Sequence, residues 1–109
     1  MKHPSSLQQR KEAGAWLKEL RETAGLTQLE LAKLLGFKYY AFVSQVETGI
    51  SRLPTAKLEA WAHALEVDPS AFAKRLISFY EPELHRLLDL ESYDVAPPRK
   101  RVRSTARTA

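Results

Sequence analysis

The chain has 109 residues, 44% of them apolar and 28% charged, enough for one domain with a modest core. It has no cysteine, which excludes disulfide scaffolds and thiolate metal sites and is compatible with a reducing cytosol. The net charge of +4 divides unevenly: residues 1–10 carry +2, residues 11–91 carry −2 and residues 92–109 carry +4, so the basic balance lies in the ends and is weak evidence for a nucleic-acid partner.

Met1 to Arg10 has no apolar core of signal-peptide length, and no stretch nears the roughly 20 apolar residues of a spanning helix. A cytoplasmic protein with no membrane partner is expected, with residues 1–10 as a flexible segment. Leu17, Leu20 and Ala24, with Trp16 beside them, predict a helix over Ala13–Ala24 that Gly25 ends. Thr27 caps a second helix, and Glu30 completes a capping box. Leu31, Ala32, Leu34 and Leu35 form its apolar face, and Gly36 ends it. A third helix is predicted from about Tyr39 to Thr48, with Val43 and Val46 turned inward and Gly49 as its stop.

Pro54 suits the first turn of a fourth helix with Leu58, Trp61, Ala62 and Leu65 as its inner stripe. Asp68 and Pro69 open a fifth helix, to about Tyr80. Pro82 starts a short sixth with Leu84, Leu87, Leu88 and Leu90. Beyond Tyr93, Pro97-Pro98 and a run of Arg, Ser and Thr bury too little surface to order themselves. The fold class is all-α: a bundle of five or six helices over residues 11–91, with a disordered basic tail over 92–109.

Two short helices broken at Gly36 define a helix-turn-helix. One helix crosses the DNA backbone while the next lies in the major groove, so they meet steeply across a tight turn. Glycine permits that turn because it has no Cβ, and Ala32 is small enough for close packing. The words "LKELRETAGLTQLELAKLLG", "VSQVETG" and "PTAKLEAWAHALEVDP" arrive in order. They resemble the lambda-repressor-like, or Cro/XRE, helix-turn-helix regulators over roughly residues 13–73. The resemblance implies a five-helix bundle that binds operator DNA, usually as a homodimer. It departs at one point: the stretch from Gly36 to Gly49 is one residue longer than the family's usual spacing, and the extra residue falls in "FKYY".

Helical spacing sorts the third helix. Tyr40, Ala41, Ser44, Gln45 and Thr48 fall on its flanks and outer face, while Tyr39 and Phe42 tilt toward the core. Tyr40 is placed to touch a thymine methyl or a phosphate, and Ala41 permits close approach. Gln45 can pair bidentately with adenine, and Ser44 is a further base-contact candidate. Tyr39 is kept among the DNA-binding candidates as its neighbour. The resemblance implies that Gln28 bonds a DNA phosphate at the start of the second helix, beside its cap Thr27. Ser51 and Arg52 are expected at the DNA backbone, with Lys38 and Lys57 as further candidates.

The resemblance also implies a structural ion pair between Arg21 and Glu47. Trp16, Trp61 and Phe72 read as core. His3, His63 and His85 are scattered, no nucleophile sits beside a base, and no phosphate loop is present, so neither an enzyme nor a metal or cofactor is expected. A short leucine-rich end without a core of its own predicts a homodimer contact from Phe72, Leu76, Phe79, Tyr80, Leu84, Leu87 and Leu88. The expected function is a sequence-specific double-stranded DNA-binding regulator, a repressor acting on a palindromic operator as a homodimer. The alternative is an antitoxin or adaptor that binds a protein partner through its C-terminal region. The basic tail, Arg99, Lys100, Arg101, Arg103 and Arg107, is expected to follow DNA phosphates.

Overall fold

In a computed structural model the chain is described over residues 6–88. The expectations for Leu90, for the tail over 92–109 and for residues 1–5 lie outside the described residues. Within them the element order is α1 (Ser6–Thr23), α2 (Gln28–Leu34), α3 (Ala41–Thr48), a 3₁₀ turn (Thr55–Lys57), α4 (Leu58–Leu65), α5 (Pro69–Tyr80) and α6 (Pro82–Leu87). The architecture is all-α, and no strand occurs among the described residues.

The core gathers the inward stripes of five helices. Leu17, Leu31, Ala32, Val43, Val46, Trp61 and Ala62 are fully buried, with Leu53, Leu65, Phe72 and Leu76 nearly so. Aromatic rings lock the layers together: Phe42 meets Trp61 edge-on at 6.5 Å and Phe37 lies 5.4 Å from Phe42. Trp16 is only half-buried, but it stacks on Phe72 at 5.5 Å and touches Phe79 at 5.7 Å. α1 packs on α3 and α5, α2 packs on α3, and α4 packs on α5.

The helix ends follow local chemistry. Thr27 Oγ1 accepts from the Glu30 N–H at 3.0 Å, and Glu30 Oε1 accepts from the Thr27 N–H at 2.9 Å. Asp68 Oδ2 accepts from the Ala71 N–H at 2.9 Å, with Pro69 in the first turn of α5. After α2, the Phe37 N–H reaches back to the Ala32 carbonyl and the Gly36 N–H to the Lys33 carbonyl, with Gly36 at φ 87°.

Four boundaries or placements depart from expectation. α1 begins at Ser6, not Ala13, so residues 6–10 are helical and not a loose lead. That first stretch has a single apolar residue, Leu7, which is 45% exposed, so no periodicity marks it. Tertiary contact holds it instead: Arg10 Nε donates to the Gly49 carbonyl at 2.7 Å. α3 begins at Ala41, after Tyr39 and Tyr40, because the extra residue of the turn is absorbed in bends over residues 38–40. Tyr39 is 71% exposed instead of packing under the helix start, where the Phe37 ring meets Phe42. Pro54 precedes a 3₁₀ turn, and α4 proper starts at Leu58.

Candidate nucleic-acid interface

A buried polar knot ties the first three helices together. Arg21 of α1 donates from Nε to Glu47 Oε2 at 2.7 Å and from Nη2 to Glu47 Oε1 at 3.2 Å. Its remaining arm, Nη1, donates to the Leu26 carbonyl at 2.7 Å. The two side chains are 9% and 2% exposed, so the pair is desolvated and its bidentate geometry has to compensate for that burial. Glu47 Oε1 also accepts from Gln28 Nε2 at 2.9 Å, which anchors the start of α2 to the end of α3. A primary amide nitrogen carries two hydrogens. One is held by Glu47, and the other remains available at the start of α2.

α3 presents two faces. Val43, Val46 and Glu47 are buried, whereas Ala41, Gln45 and Thr48 are exposed and Ser44 is half-buried. The Thr48 hydroxyl folds back, donating to the Ser44 carbonyl at 2.9 Å. The Gln45 amide makes no hydrogen bond among the described residues, so both its donor and its acceptor face solvent. Tyr40 occupies the cap position of α3 without a capping side-chain bond and is 55% exposed. The turn and the first residues of α3 therefore present two adjacent phenol rings. Lys38 and Lys57 are exposed as well.

Beyond α3, the Ser51 N–H donates to the Gln45 carbonyl at 3.0 Å, fixing the loop against the helix end. Arg52, expected at the DNA backbone, lies at the α5–α6 corner, where it pairs with Glu81 at 2.8 Å and sits 4.7 Å above the Tyr80 ring. Ile50, 70% exposed between α3 and Ser51, was not singled out from sequence, because a lone apolar residue after a glycine carries no periodic signal. Arg10 carries no periodic signal in the sequence either. It places a cation at the C-terminal end of α3, where the helix dipole favours one.

The expected dimer set divides. Phe72, Leu76 and Tyr80 are 2%, 2% and 6% exposed and belong to the core of the single chain instead of to a dimer surface. They are buried because α5 lies against both α1 and α4. Phe79 is half-buried beside Trp16, and Leu84, Leu87 and Leu88 are 45%, 65% and 51% exposed. No helix among the described residues is long and apolar enough to cross a membrane.

A helix-turn-helix family model matches residues 17–72, just over half of the chain and the span from mid-α1 into α5. No curated protein matches the chain. The ordered elements, the capped α2, the turn at Gly36 and the outward face of α3 agree with that match. The chain therefore belongs to the Cro/C1-type, XRE family of lambda-repressor-like helix-turn-helix proteins, and it is a DNA-binding transcriptional regulator.

Proposed function

We propose that the protein is a repressor that binds a near-palindromic operator as a homodimer, with α3 of each protomer in the major groove. The observation that carries this is the exposed, unpaired amide of Gln45 on a helix whose opposite face is locked into the core. A rigid helix with one free amide suits bidentate reading of adenine. Tyr40 and Ala41 lead the helix into the groove, with Tyr39, Ser44, Lys38 and Ser51 around them. Gln28 offers its second amide hydrogen to a phosphate beside Thr27, and Glu47 holds it in the required orientation. The exposed leucines of α6 supply the self-contact, and a two-fold pair of protomers reads half-sites about 34 Å apart.

The test is selection of bound duplexes from random sequence, followed by two variants. Gln45→Ala relaxes preference at one base pair, worth about 1–3 kcal/mol, whereas Gln28→Ala weakens binding to all sequences alike. Failure to enrich any sequence counts against the reading. The same exposed leucines favour a second reading, in which a heterologous protein covers α6. Co-purification of a stoichiometric partner with a monomeric chain would support that one.

A further inference from the structure

A cavity of about 230 Å³ opens on the side of the molecule where α1, the segment after α3 and the α5–α6 corner meet. Ser6, Gln9, Arg10, Arg52, Tyr80 and Glu81 line it. Arg10 spends only Nε on the Gly49 carbonyl, and its two terminal nitrogens make no hydrogen bond among the described residues. Arg52 spends Nη1 on Glu81. The Tyr80 oxygen accepts from the Leu53 N–H at 3.0 Å, which leaves its own hydrogen to be donated. Two guanidinium groups and a phenol hydroxyl from three elements, with Ser6 and Gln9 beside them, thus border one void, against a single carboxylate.

The charge balance indicates the ligand. Two guanidinium groups face one carboxylate, so a positive charge is left over, and moving Glu81 aside leaves two. A phosphate carries about −1.5 to −2 at neutral pH and offers oxygens in several directions, matching donors that approach from different sides. Guanidinium forks suit such oxygens better than point charges do. Both arginines also act electrostatically on the Tyr80 hydroxyl, in keeping with their place beside it in the cavity lining.

We propose that this cavity is a phosphate-binding site, in which Arg10 and Arg52 grip the oxyanion, Tyr80 donates its hydroxyl and Glu81 is the resident carboxylate that phosphate displaces. Two sources supply that chemistry: a backbone phosphate of DNA passing the C-terminal end of α3, or a free phosphorylated small molecule. The first rests on the DNA-binding reading; the second does not.

The test is a titration of the full-length ¹⁵N-labelled protein with inorganic phosphate, against chloride at matched ionic strength, following the Nε–H signals of Arg10 and Arg52. Both signals shift saturably with phosphate. Arg10→Gln weakens that binding by about tenfold, the scale of one charged hydrogen bond. Glu81→Gln, which removes the competing carboxylate, strengthens it, so the proposal does not depend on one variant folding. The source is decided by salt titration of binding to a mixed-sequence duplex. A DNA phosphate in the site makes Arg10→Gln lower the slope of log affinity against log salt by about 0.9, and a free ligand leaves the slope unchanged while phosphate still shifts both arginines. Gln45→Ala alters base preference without altering the phosphate shifts, so failure of the operator reading is distinguishable. Absence of a phosphate-specific shift together with an unchanged slope would overturn the proposal.

Discussion

Gly14 of α1 lies directly against the end of α3, so close that a Cβ placed on it would fall 2.1 Å from the Glu47 carbonyl oxygen. Helix propensity alone favours Ala at this position by about 1 kcal/mol. The contact reverses that preference, because the atoms in the way are backbone and the two helices would have to move apart. Gly14→Ala is expected to destabilise the protein by about 1–3 kcal/mol, the usual cost of overpacking. Urea denaturation checks this, and a variant at least as stable as wild type would refute the close crossing.

The Arg21–Glu47 pair sets a second expectation. Arg21→Met leaves the Glu47 carboxylate buried with only Gln28 to bond it. Removing one partner of a buried pair costs about 3–5 kcal/mol, whereas replacing both by apolar residues is often close to neutral. The double variant Arg21→Met/Glu47→Leu should therefore recover much of the stability lost by Arg21→Met alone. A double-mutant cycle by thermal or urea unfolding measures the coupling, and simple additivity would contradict it.

Tyr80 makes stability fall at alkaline pH. Burial raises its hydroxyl pKa above the ordinary 10.0, outweighing the Leu53 N–H bond and the charges of Arg52 and Arg10, which act the other way. The folded chain then holds this proton to higher pH than the unfolded chain does. The contribution is fully present below the unfolded value and is lost as pH rises through it toward the folded one. Tyr80→Phe should flatten the loss of stability between about pH 9 and pH 11, relative to wild type. It should also lower stability at neutral pH by about 1–3 kcal/mol, because the Leu53 N–H loses its buried acceptor. Parallel stability curves for the two proteins would show that Tyr80 does not titrate differently on folding.

The leucines of α6 give an expectation about assembly. Leu84 and Leu87 are 45% and 65% exposed, so replacing both with Glu removes little from the core of the protomer. Leu84→Glu/Leu87→Glu is expected to convert a dimer to a monomer in sedimentation while leaving the unfolding midpoint of the protomer nearly unchanged. Leu76→Ala, by contrast, should cost about 2–5 kcal/mol of fold stability, because Leu76 is 2% exposed. A wild-type chain that is already monomeric at micromolar concentration, with DNA present, would remove α6 from the dimer reading.

What the sequence determined by itself was local. Thr27 with Glu30, Asp68 with Pro69, and the glycines after α1, α2 and α3 mark helix ends, because capping and left-handed turns depend on residues within a few positions of one another. The inward stripes of α2 to α5 were legible for the same reason, since a period of 3.6 is printed in the chain. The tertiary structure decided the rest. The α4 turn has the same left-handed geometry at Glu66, φ 62°, with no glycine to announce it, because Val67 packing on the core holds it there. Residues 6–10 became helix through Arg10 and the end of α3, a contact across 39 positions that no local window contains. Tyr39 went to solvent beside the Phe37–Phe42 contact, and Tyr80 to the core, where its hydroxyl accepts from the Leu53 N–H, a partner 27 positions away. Helical period tells which residues share a face. Only the packing of one helix on another decides whether that face meets protein, solvent or a partner.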